Sequence, residues 1–392
     1  MAILTLLDHV ITTLEKGEYT IGIFLDFSKA FDTVNHEILI AKLEAYGIRG
    51  LANKWVKDYL SSRQQFSTIN GTVSKTRTVT CGVPQGSILG PLLFLVYIND
   101  LASISKEFSM ILFADDSNLF MSGKDLADIA DRLNRESHKL IDWLRANRLS
   151  LNLLKTHYML FAPKKKTPPP EVDIIIDGTK IERVTTCKFL GVILDENLNW
   201  KKHIEYTSTK ISKTLGLLNK ARKYFDREVL ITLYYAFIYP LLLYANIAWG
   251  KANSTTLNPL YMVQKRAVRI IVNGRKHDRM TKFFSELNIL KLEDISHLST
   301  SVFMFDYHSG KLPPPFKDFF HCQDQTHAHN TRNQRIYRTP FYKTQVGSQF
   351  IRKTGIAAWD RCRQLNGNLT PGSRNLVKHL IMKDCMRAYD EK

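Results

Sequence analysis

In the first half of the chain, segments whose hydrophobic positions fit β-strands alternate with segments whose hydrophobic positions repeat every 3.6 residues, as in α-helices. The run YTIGIFLDF is apolar and contains β-branched residues, which predicts a buried strand ending near Asp26. The segment MILFADDSNLFM predicts a strand, a turn at FADD (113–116) and a second strand. Asn-Gly at 70–71 and Asp-Gly at 177–178 predict two hairpins.

Helical spacing appears in HEILIAKLEAYGI, in LANKWVKDYLSS, in the long segment after FADD, and throughout the chain beyond residue 204. An acidic residue interrupts the apolar stretch at the start of the chain, and no basic segment precedes it, so this stretch does not resemble a signal peptide. We expect an amphipathic helix there instead. SILGPLLFLVYINDL is apolar on every side, which predicts a buried helix capped by Ser87. The apolar segment 233–250 contains Pro240 and Asn246, so a buried helix pair is expected and no membrane partner.

Together these patterns predict an α+β fold with a mainly antiparallel sheet and packed helices, followed by an all-α region and a basic tail of helices and loops. The basic linker PKKKTPPP (163–170) predicts a surface loop, and PPPF at 313–316 marks a second boundary. We expect three domains, at 1–204, 205–295 and 296–392.

The chain is strongly basic, with 55 Lys and Arg against 37 Asp and Glu and a net charge of +18. Residues 251–392 hold 24 of these basic residues and 11 of the acidic ones, or +13, which indicates a polyanionic partner, most often nucleic acid. The five cysteines are odd in number, widely spread and without a C-x-x-C pair, which favours a reducing compartment. One stretch contains His321, Cys322, His327 and His329, but their spacing does not match that of a zinc knuckle or zinc finger. We assign this stretch to nucleic-acid contact.

Three carboxylates are the strongest chemical signal from the residues alone. Asp115 and Asp116 interrupt an apolar stretch, where charge costs several kcal/mol unless it is paired or bound to metal. If the strand ending at Asp26 is a neighbour, the three converge on a site suited to Mg²⁺. Two such ions can activate an attacking hydroxyl and stabilise a leaving pyrophosphate. For the Ala-Asp-Asp sequence alone, an ordinary acidic turn is the simpler interpretation.

Five motifs in a fixed order resemble the reverse transcriptase of non-LTR, LINE-type retrotransposons, and the later segments look like those that follow the polymerase core in Jockey-like and CR1-like elements. The motifs are FLDFSKAFDTVNH (24–36), CGVPQGSILGPLLF (81–94), FADD (113–116), LNLLKTHYMLF (151–161) and KFLGVILDENLNWKKHI (188–204).

The resemblance implies a polymerase palm over 1–204 with motifs A to E, a helical thumb over 205–295 and a basic region over 296–392. It implies RNA-directed DNA polymerase activity with two Mg²⁺ ions, for which Mn²⁺ can substitute, acting on dNTPs, an RNA template and a DNA primer or target. Such an enzyme acts in the cytoplasm and nucleus. The alternatives are a catalytically inactive nucleic-acid-binding remnant and, remotely, an unrelated two-metal phosphohydrolase. The sequence does not indicate an oligomeric state.

The resemblance assigns catalytic roles to four residues. Asp26 matches the catalytic aspartate of the first motif, Asp115 the principal metal ligand of the third, and Asp116 the weaker or alternate ligand beside it. Lys155 matches a lysine that protonates or neutralises the departing pyrophosphate, although a lone lysine is usually just solvated.

Four further residues match the nucleotide site of the family. The carbonyl of Phe27 is expected to face a metal, and Phe31 to stack under the incoming sugar and exclude a ribose 2′-hydroxyl, a role compatible with core packing. Gln85 and Gly86 match the pair that contacts nucleotide and template, a plain strand-to-helix turn being the alternative. Asp32 matches the family pattern without being a ligand, and we leave it as structural.

Further residues are expected to contact nucleic acid. The hairpin that grips the primer end in the family matches Phe189, Leu190 and Gly191. A helical face that could equally be a solvated one carries Lys265, Arg266 and Arg269, and the HNTRN segment carries Arg332.

The sequence departs from the family at its start. Only 25 residues precede Asp26, where the family has a fingers region and, further upstream, an endonuclease domain. We therefore expect the chain to be the carboxy-terminal part of such a reading frame, and we expect it to polymerise inefficiently alone.

Overall fold

A computed structural model describes residues 1–163, 171–275, 277–322, 336–367 and 369–391, and shows an α+β fold. Apart from the first two residues, the chain divides into two compact units. We call them the sheet unit (Lys16–Thr185) and the helical unit (Ile3–Glu15 with Thr186–Lys392). The chain passes from one unit to the other at 15–16 and again at 185–186, whereas the domain boundaries at 204 and 295 remain predictions.

The chain opens with α1 (Ala2–Glu15), which belongs to the helical unit. The elements of the sheet unit then follow in chain order, with two 3₁₀ helices at Ala30–Asp32 and Asn99–Ser103. They are β1 (Tyr19–Leu25), α2 (His36–Ala45), α3 (Gly50–Leu60), β2 (Gln64–Gln65), β3 (Thr68–Ile69), β4 (Thr72–Val73), β5 (Arg77–Thr78), α4 (Leu89–Ile98), β6 (Ser109–Phe113), β7 (Asp116–Gly123), α5 (Leu126–Ala146), β8 (His157–Phe161), β9 (Ile175–Ile176), β10 (Thr179–Lys180) and β11 (Glu182–Arg183).

The main sheet has five strands in the order β11, β8, β1, β7, β6, and all its pairs are antiparallel except β11 with β8. The central strand β1 is buried along nearly its whole length, which explains why its sequence is an apolar run rather than an alternating one. Gly22 lies in the middle of β1, where an added Cβ would come within 2.7 Å of the Phe120 ring on β7. Close packing between β1 and β7 therefore fixes the two strands whose ends carry the predicted carboxylates.

Helix α4 departs from its prediction. The prediction that α4 is buried on every side is wrong. The helix packs through one face, which buries Leu93 and Phe94, whereas Leu92 is 54% exposed and Leu95 is 44% exposed. Ser87 is not the N-cap residue, because α4 begins at Leu89 and Ile88 occupies that position, but Ser87 Oγ accepts a hydrogen bond from the Gly90 N–H at 2.9 Å.

The two predicted hairpins of the sheet unit are confirmed. β3 and β4 pair around Asn70 and Gly71, and β9 and β10 pair around Asp177 and Gly178. Both turn residues have positive φ in each case, as the two-residue turn of a right-twisted hairpin requires.

The remaining elements belong to the helical unit, with one 3₁₀ helix at Pro314–Phe316. They are β12 (Thr186–Phe189), β13 (Val192–Asp195), α6 (Lys201–Ala221), α7 (Arg227–Phe237), α8 (Tyr239–Leu243), α9 (Asn246–Trp249), α10 (Ser254–Val272), α11 (Met280–Glu286), α12 (Leu292–His308), α13 (Gln345–Gln349), α14 (Ile351–Leu365) and α15 (Arg374–Asp390).

The apolar segment 233–250 forms the end of α7 with the short helices α8 and α9, so it is not a simple helix pair. Among the described residues, no helix is both long and apolar enough to span a membrane.

Two acidic residues attach α1 to the rest of the helical unit. Asp8 forms an ion pair with Arg352 on α14. Glu15 accepts hydrogen bonds from the backbone N–H groups of Lys343 at 2.7 Å and Thr344 at 3.0 Å. The first helix thus packs with the carboxy-terminal part of the chain.

Candidate active site

Strand register brings the three predicted carboxylates to one end of the main sheet. Leu25, the last residue of β1, pairs with Ser117 of β7, so Asp26 follows on β1 where Asp116 begins β7. Asp115 lies in the tight turn between β6 and β7, since Phe113 pairs with Asp116. The strands that carry these aspartates are therefore neighbours, which is the condition on which the predicted convergence depends.

The carboxylates influence one another. The pKa of the Asp116 carboxyl is raised above its usual value, first by partial removal from water and then by the negative charges of Asp115 and Asp26. Asp116 and Asp115 are nevertheless solvent-exposed, so a dissolved cation can reach them. Within the described residues, none of the three forms an ion pair.

This arrangement fits a divalent cation in its chemistry. All three side chains offer carboxylate oxygens, the ligands that Mg²⁺ prefers. The negative charges of Asp115 and Asp26 add to partial burial in raising the pKa of Asp116, and a cation would offset those charges. The described part of the chain nevertheless has no three His, Cys, Asp or Glu side chains drawn together tightly enough to hold a metal ion.

A turn that carries Lys155 is attached to the backbone at Asp26. The Asp26 N–H donates to Thr156 Oγ1 at 3.3 Å, and the Asn152 N–H donates to the Asp26 carbonyl at 2.8 Å. Phe27 forms an antiparallel bridge with Leu151. The backbone of the Lys155 turn therefore lies beside Asp26, although the two segments are far apart in sequence, and the Lys155 side chain is exposed.

Next to the acidic end of the sheet lies a cleft of about 490 Å³. Five of the eight site residues predicted in the sheet unit line it, namely Phe27, Phe31, Gln85, Gly86 and Asp115. Asp26, Asp116 and Lys155 are not among its lining residues.

Two neighbouring segments form the wall of the cleft. The Val83 N–H donates to the Phe31 carbonyl at 2.8 Å, and the Gly82 N–H to the Val34 carbonyl at 2.7 Å. An added Cβ at Gly82 would lie 2.7 Å from the Asp32 carbonyl oxygen, and Gly82 has a φ of +84°. The close approach of backbone to backbone therefore requires glycine at this position.

Polar and aromatic contacts hold the lining side chains in place. Gln85 Nε2 donates to Asp32 Oδ1 at 2.8 Å. The Phe31 ring stacks on Phe94 of α4, with centroids 4.6 Å apart and planes at 25°. Gly86 has a φ of +83° and open space around it, so its backbone is accessible to a ligand.

The predicted primer-grip residues lie at the tip of the β12–β13 hairpin in the helical unit. Phe189 is buried, and Leu190 and Gly191 form the turn with φ values of +45° and +80°. Tyr244 Oη donates to the Leu190 carbonyl at 2.6 Å, and an added Cβ at Gly191 would lie 3.4 Å from the Tyr244 ring. The hairpin tip is therefore held by the segment between α8 and α9.

The predicted basic residues of α10 lie on the outer side of that helix. Arg266 is exposed, while Lys265 and Arg269 are half-buried. Lys265 Nζ lies 4.4 Å from the centroid of the Tyr261 ring. The fourth predicted residue, Arg332, lies outside the described residues, as do His327 and His329.

Sequence reasoning did not identify three residues of this arrangement. Asp32 was left as structural, yet it orients Gln85. Lys29 lines the cleft in a left-handed conformation with a φ of 50°, and Thr156 accepts from the Asp26 backbone. Lys29 and Asp32 lie inside the first motif, so its short spacing was the available signal, whereas nothing local in the sequence indicates Thr156.

Comparisons with known proteins agree with this geometry. Residues 4–194 match the family model described as "Reverse transcriptase (RNA-dependent DNA polymerase)". The chain is 27% identical over 301 residues to the probable RNA-directed DNA polymerase from transposon X-element of Drosophila melanogaster. It is 28% identical over 305 residues to that from transposon BS of the same species, and 26% over 298 residues to that from mobile element jockey of Drosophila funebris.

Each of these matches covers 73% of this chain and 32% of the relative, so the chain spans about a third of the length of the proteins that it resembles. Among solved structures, apo telomerase from Candida tropicalis matches with a TM-score of 0.38 and 11% identity, over 74% of this chain and 50% of that chain. That likeness is too low to carry an argument. Residues 4–194 thus form a reverse transcriptase (RNA-dependent DNA polymerase) domain, and the chain is distantly homologous to the polymerases of the non-LTR elements X, BS and jockey.

Proposed function

We propose that this chain is the part of a non-LTR retrotransposon protein that joins a deoxynucleotide to a primer 3′-hydroxyl on an RNA template. The observation that carries the proposal is the convergence of Asp26 with Asp115 and Asp116 at one end of the sheet, beside the 490 Å³ cleft. Nucleotidyl transfer needs negative groups that hold divalent cations next to a space for the triphosphate, and this end of the sheet offers both.

In this proposal Asp26, Asp115 and Asp116 hold two Mg²⁺ ions, for which Mn²⁺ can substitute. When bound, such ions supply charge stabilisation for the attacking hydroxyl and the leaving pyrophosphate. Asp115 and Asp116 are exposed and Asp26 is half-buried, so cations from solution could reach this end of the sheet. The raised pKa of Asp116 makes protons compete with the cation there as the pH falls.

The cleft residues position the nucleotide. Phe31, held by stacking on Phe94, presents a rigid wall to the sugar and would exclude a 2′-hydroxyl by contact. Gln85, oriented by Asp32, and the open backbone at Gly86 would bind the base and phosphates. Phe27, whose segment is bridged to Leu151, lines the same cleft, and its carbonyl would face a metal.

Lys155 supplies the cation on the product side. Its turn is attached to the Asp26 backbone and its side chain is exposed, so its ammonium group could reach a phosphate bound at the carboxylates. A positive charge there would neutralise or protonate the departing pyrophosphate.

We assign the template RNA and the DNA primer or target to the palm at 1–204, the thumb at 205–295 and the basic region at 296–392. The primer end would meet the Phe189–Gly191 tip, and the phosphates would meet Lys265, Arg266, Arg269 and Arg332. We expect this activity in the cytoplasm and nucleus.

Primer extension tests the proposal. The full chain and a version extended upstream are assayed on poly(rA)/oligo(dT) with dTTP and Mg²⁺, beside the Asp26→Asn and Asp115→Asn variants. We expect the variants to lose at least ~100-fold in rate, since a metal clamp supplies several kcal/mol of transition-state stabilisation. Asp58→Asn is the matched control, because it removes the same charge from an exposed position on α3.

If neither version incorporates dTTP, the catalytic proposal is wrong. Salt-dependent RNA binding that persists in that case would identify a non-catalytic nucleic-acid-binding remnant, which the basic helical unit favours.

A further inference from the structure

The outer face of α4 presents apolar side chains to solvent. Helix α4 contains no charged or amide side chain, and a helix with apolar residues on every side is normally buried on every side. One face of α4 buries Leu93 and Phe94, yet Ile88, which precedes the helix, is 88% exposed. Leu92 and Leu95 continue this outward row at helical spacing. The composition of α4 is therefore suited to burial on two sides.

Direct contacts connect this face of α4 to the neighbouring helices α2 and α3. At the end of α4, Asn99 Nδ2 donates to Tyr46 Oη at 3.0 Å, which joins that end to the end of α2. Tyr46 is itself exposed, as is Ile48, which follows it by two residues. From α3, Asn53 Nδ2 donates to the Ile48 carbonyl at 3.1 Å. The exposed apolar residues of the three helices are therefore linked through the end of α2.

Helix α3 adds two large side chains to this surface. Leu51 is 84% exposed and Trp55 is 56% exposed. The Trp55 ring stacks on Tyr59, with centroids 5.8 Å apart and planes at 14°, so its orientation is fixed. We call the combined surface the apolar patch, and it consists of Tyr46, Leu51, Trp55, Ile88, Leu92 and Leu95.

The apolar patch is large for a surface exposed to water. At about 200 Å² for a fully exposed large side chain, its six residues present roughly 750 Å² to solvent. The largest apolar patch on a typical monomer covers about 300–600 Å². In a stable protein–protein interface each partner buries ~800 Å². The apolar patch is therefore of the size that one partner protein covers.

The charges around the apolar patch are balanced, which indicates the kind of partner that it fits. Residues 36–60 and 81–100, which carry the patch, hold four Lys and Arg against four Asp and Glu, in a chain whose net charge is +18. A nucleic acid or an anionic membrane would select a surplus of positive charge. In a two-fold dimer the same surface serves both partners, so a rim with equal numbers of both signs can pair with itself.

We propose that the apolar patch binds the same patch of a second copy of this chain and forms a two-fold symmetric dimer. The apolar side chains form the centre of the interface, and exposed charged residues of α2 and α3, such as Glu44 and Lys54, form its rim. Trp55 is the anchor, since aromatic side chains are enriched at the centres of interfaces. This association needs neither metal nor nucleic acid, so it stands apart from the proposed polymerisation.

Sedimentation velocity of the full chain tests the proposal, after nuclease treatment and in high salt so that bound nucleic acid cannot join two basic chains. Interfaces of this size have Kd values of about 1 μM or tighter, so we expect a dimer at ~20 μM protein. The variant Leu92→Glu/Leu95→Glu places carboxylates in the interface and should weaken dimerisation at least ~100-fold. Leu217→Glu is the matched control and should dimerise as the original chain does, because Leu217 on α6 is 52% exposed and lies outside the patch.

A second variant and a second measurement keep the test decisive if the first variant fails to fold. Leu51→Glu changes a side chain that is mostly exposed, so the fold should tolerate it, and it should also weaken dimerisation. Trp55 fluorescence reports on the patch directly, because the other four tryptophans are buried or half-buried. Acrylamide quenching of the original chain should decrease as its concentration rises through the Kd. In Leu51→Glu, quenching should not change over the same concentration range.

Three results would overturn the inference. They are a chain that stays monomeric at that concentration, a dimer whose affinity is unchanged in both patch variants, and a version extended upstream that is monomeric although the chain itself dimerises. The last result would show that upstream sequence covers the patch in the longer protein. Asp115→Asn should dimerise as the original chain does, so a failure of the catalytic proposal and a failure of this inference are distinguishable.

Discussion

The sheet unit and the helical unit concentrate opposite kinds of chemistry. Residues 16–185 hold 22 Lys and Arg against 19 Asp and Glu, or +3, and place three aspartates at one end of the sheet. The rest of the chain holds 33 against 18, or +15, and carries Lys265, Arg266 and Arg269 on α10. Negative groups thus gather where cations and a triphosphate would react, and positive groups where a nucleic-acid backbone would lie. We therefore predict that catalysis and nucleic-acid binding can be separated by mutation.

The largest expected effect is a loss of catalysis without a loss of nucleic-acid binding. Asp115→Asn should lower primer extension at least ~100-fold, because it removes a metal-binding carboxylate. The Kd for single-stranded RNA should stay within twofold, since Asp115 belongs to the sheet unit, whereas the basic residues of α10 that are proposed to bind phosphates belong to the helical unit. Extension rates and anisotropy on the same preparation check both. A parallel loss of RNA binding would show that catalysis and nucleic-acid binding depend on the same residues.

A pair of glycines sharpens the comparison by separating close approach from backbone strain. Gly82 and Gly71 have nearly the same φ, +84° and +81°, but an added Cβ would meet the Asp32 backbone at Gly82 and nothing within 4 Å at Gly71. We expect Gly82→Ala to lower the free energy of unfolding by ~3 kcal/mol and Gly71→Ala by ~1 kcal/mol. Urea denaturation measures both. Equal losses would mean that the wall of the cleft is not tightly packed at Gly82.

The helical unit should be the more acid-sensitive of the two. Burial, aided by Lys210, lowers the pKa of His203 to about 4, and burial with Lys251 and Arg361 does the same for His297. Both imidazoles are neutral in the folded state, so the unfolded chain binds more protons below pH 6.5. Stability is therefore lost as the pH falls from 6.5 towards 4, by ~2 kcal/mol per histidine at pH 5.

Urea unfolding at pH 7.5 and pH 5 measures this loss. In the folded protein, the Ile193 N–H donates a hydrogen bond to His203 Nδ1 at 3.3 Å. The variant His203→Gln keeps an acceptor for this N–H and should remove about half of the pH dependence. An unchanged pH dependence in that variant would assign the acid sensitivity to other groups.

The smallest expected effect concerns the acidic end of the sheet. Because the pKa of Asp116 is raised, its ionised carboxylate disfavours the folded state at neutral pH. Asp116→Asn should therefore stabilise the metal-free protein, by less than ~1 kcal/mol since the group is exposed. Thermal unfolding in EDTA gives the sign, and destabilisation would contradict the repulsion inferred here.

Local patterns predicted the parts of this fold that depend on local chemistry. The turns at Asn70 and Asp177 follow from their Gly partners, and the strand ending at Asp26 follows from its apolar run. The sequence could also suggest that Asp26 and Asp115 share a site, but only if their strands paired. The register of β1 with β7 supplies that condition, and it arises from packing such as that of Gly22 against Phe120.

Long-range contacts were beyond prediction for the same reason. Nothing near Asp8 indicates its ion pair with Arg352, and nothing near Tyr244 indicates its hydrogen bond to Leu190. Helix α4 was predicted to be buried on all sides because its composition is apolar, yet Leu92 is exposed. Composition reports what a helix could bury, whereas burial depends on which of its faces meet another element.

The central claim is that Asp26 and Asp115 bind the same metal ions, and Fe²⁺-directed backbone cleavage tests it most directly. Fe²⁺ replaces Mg²⁺ in the presence of template, primer and dTTP, and ascorbate with peroxide cuts the chain wherever it lies next to the bound ion. We predict that the unmutated protein is cut both at 26–27 and at 114–116, and that both cuts are lost in Asp115→Asn. Cleavage near only one of these segments, or cleavage at 26–27 that survives in Asp115→Asn, would contradict it.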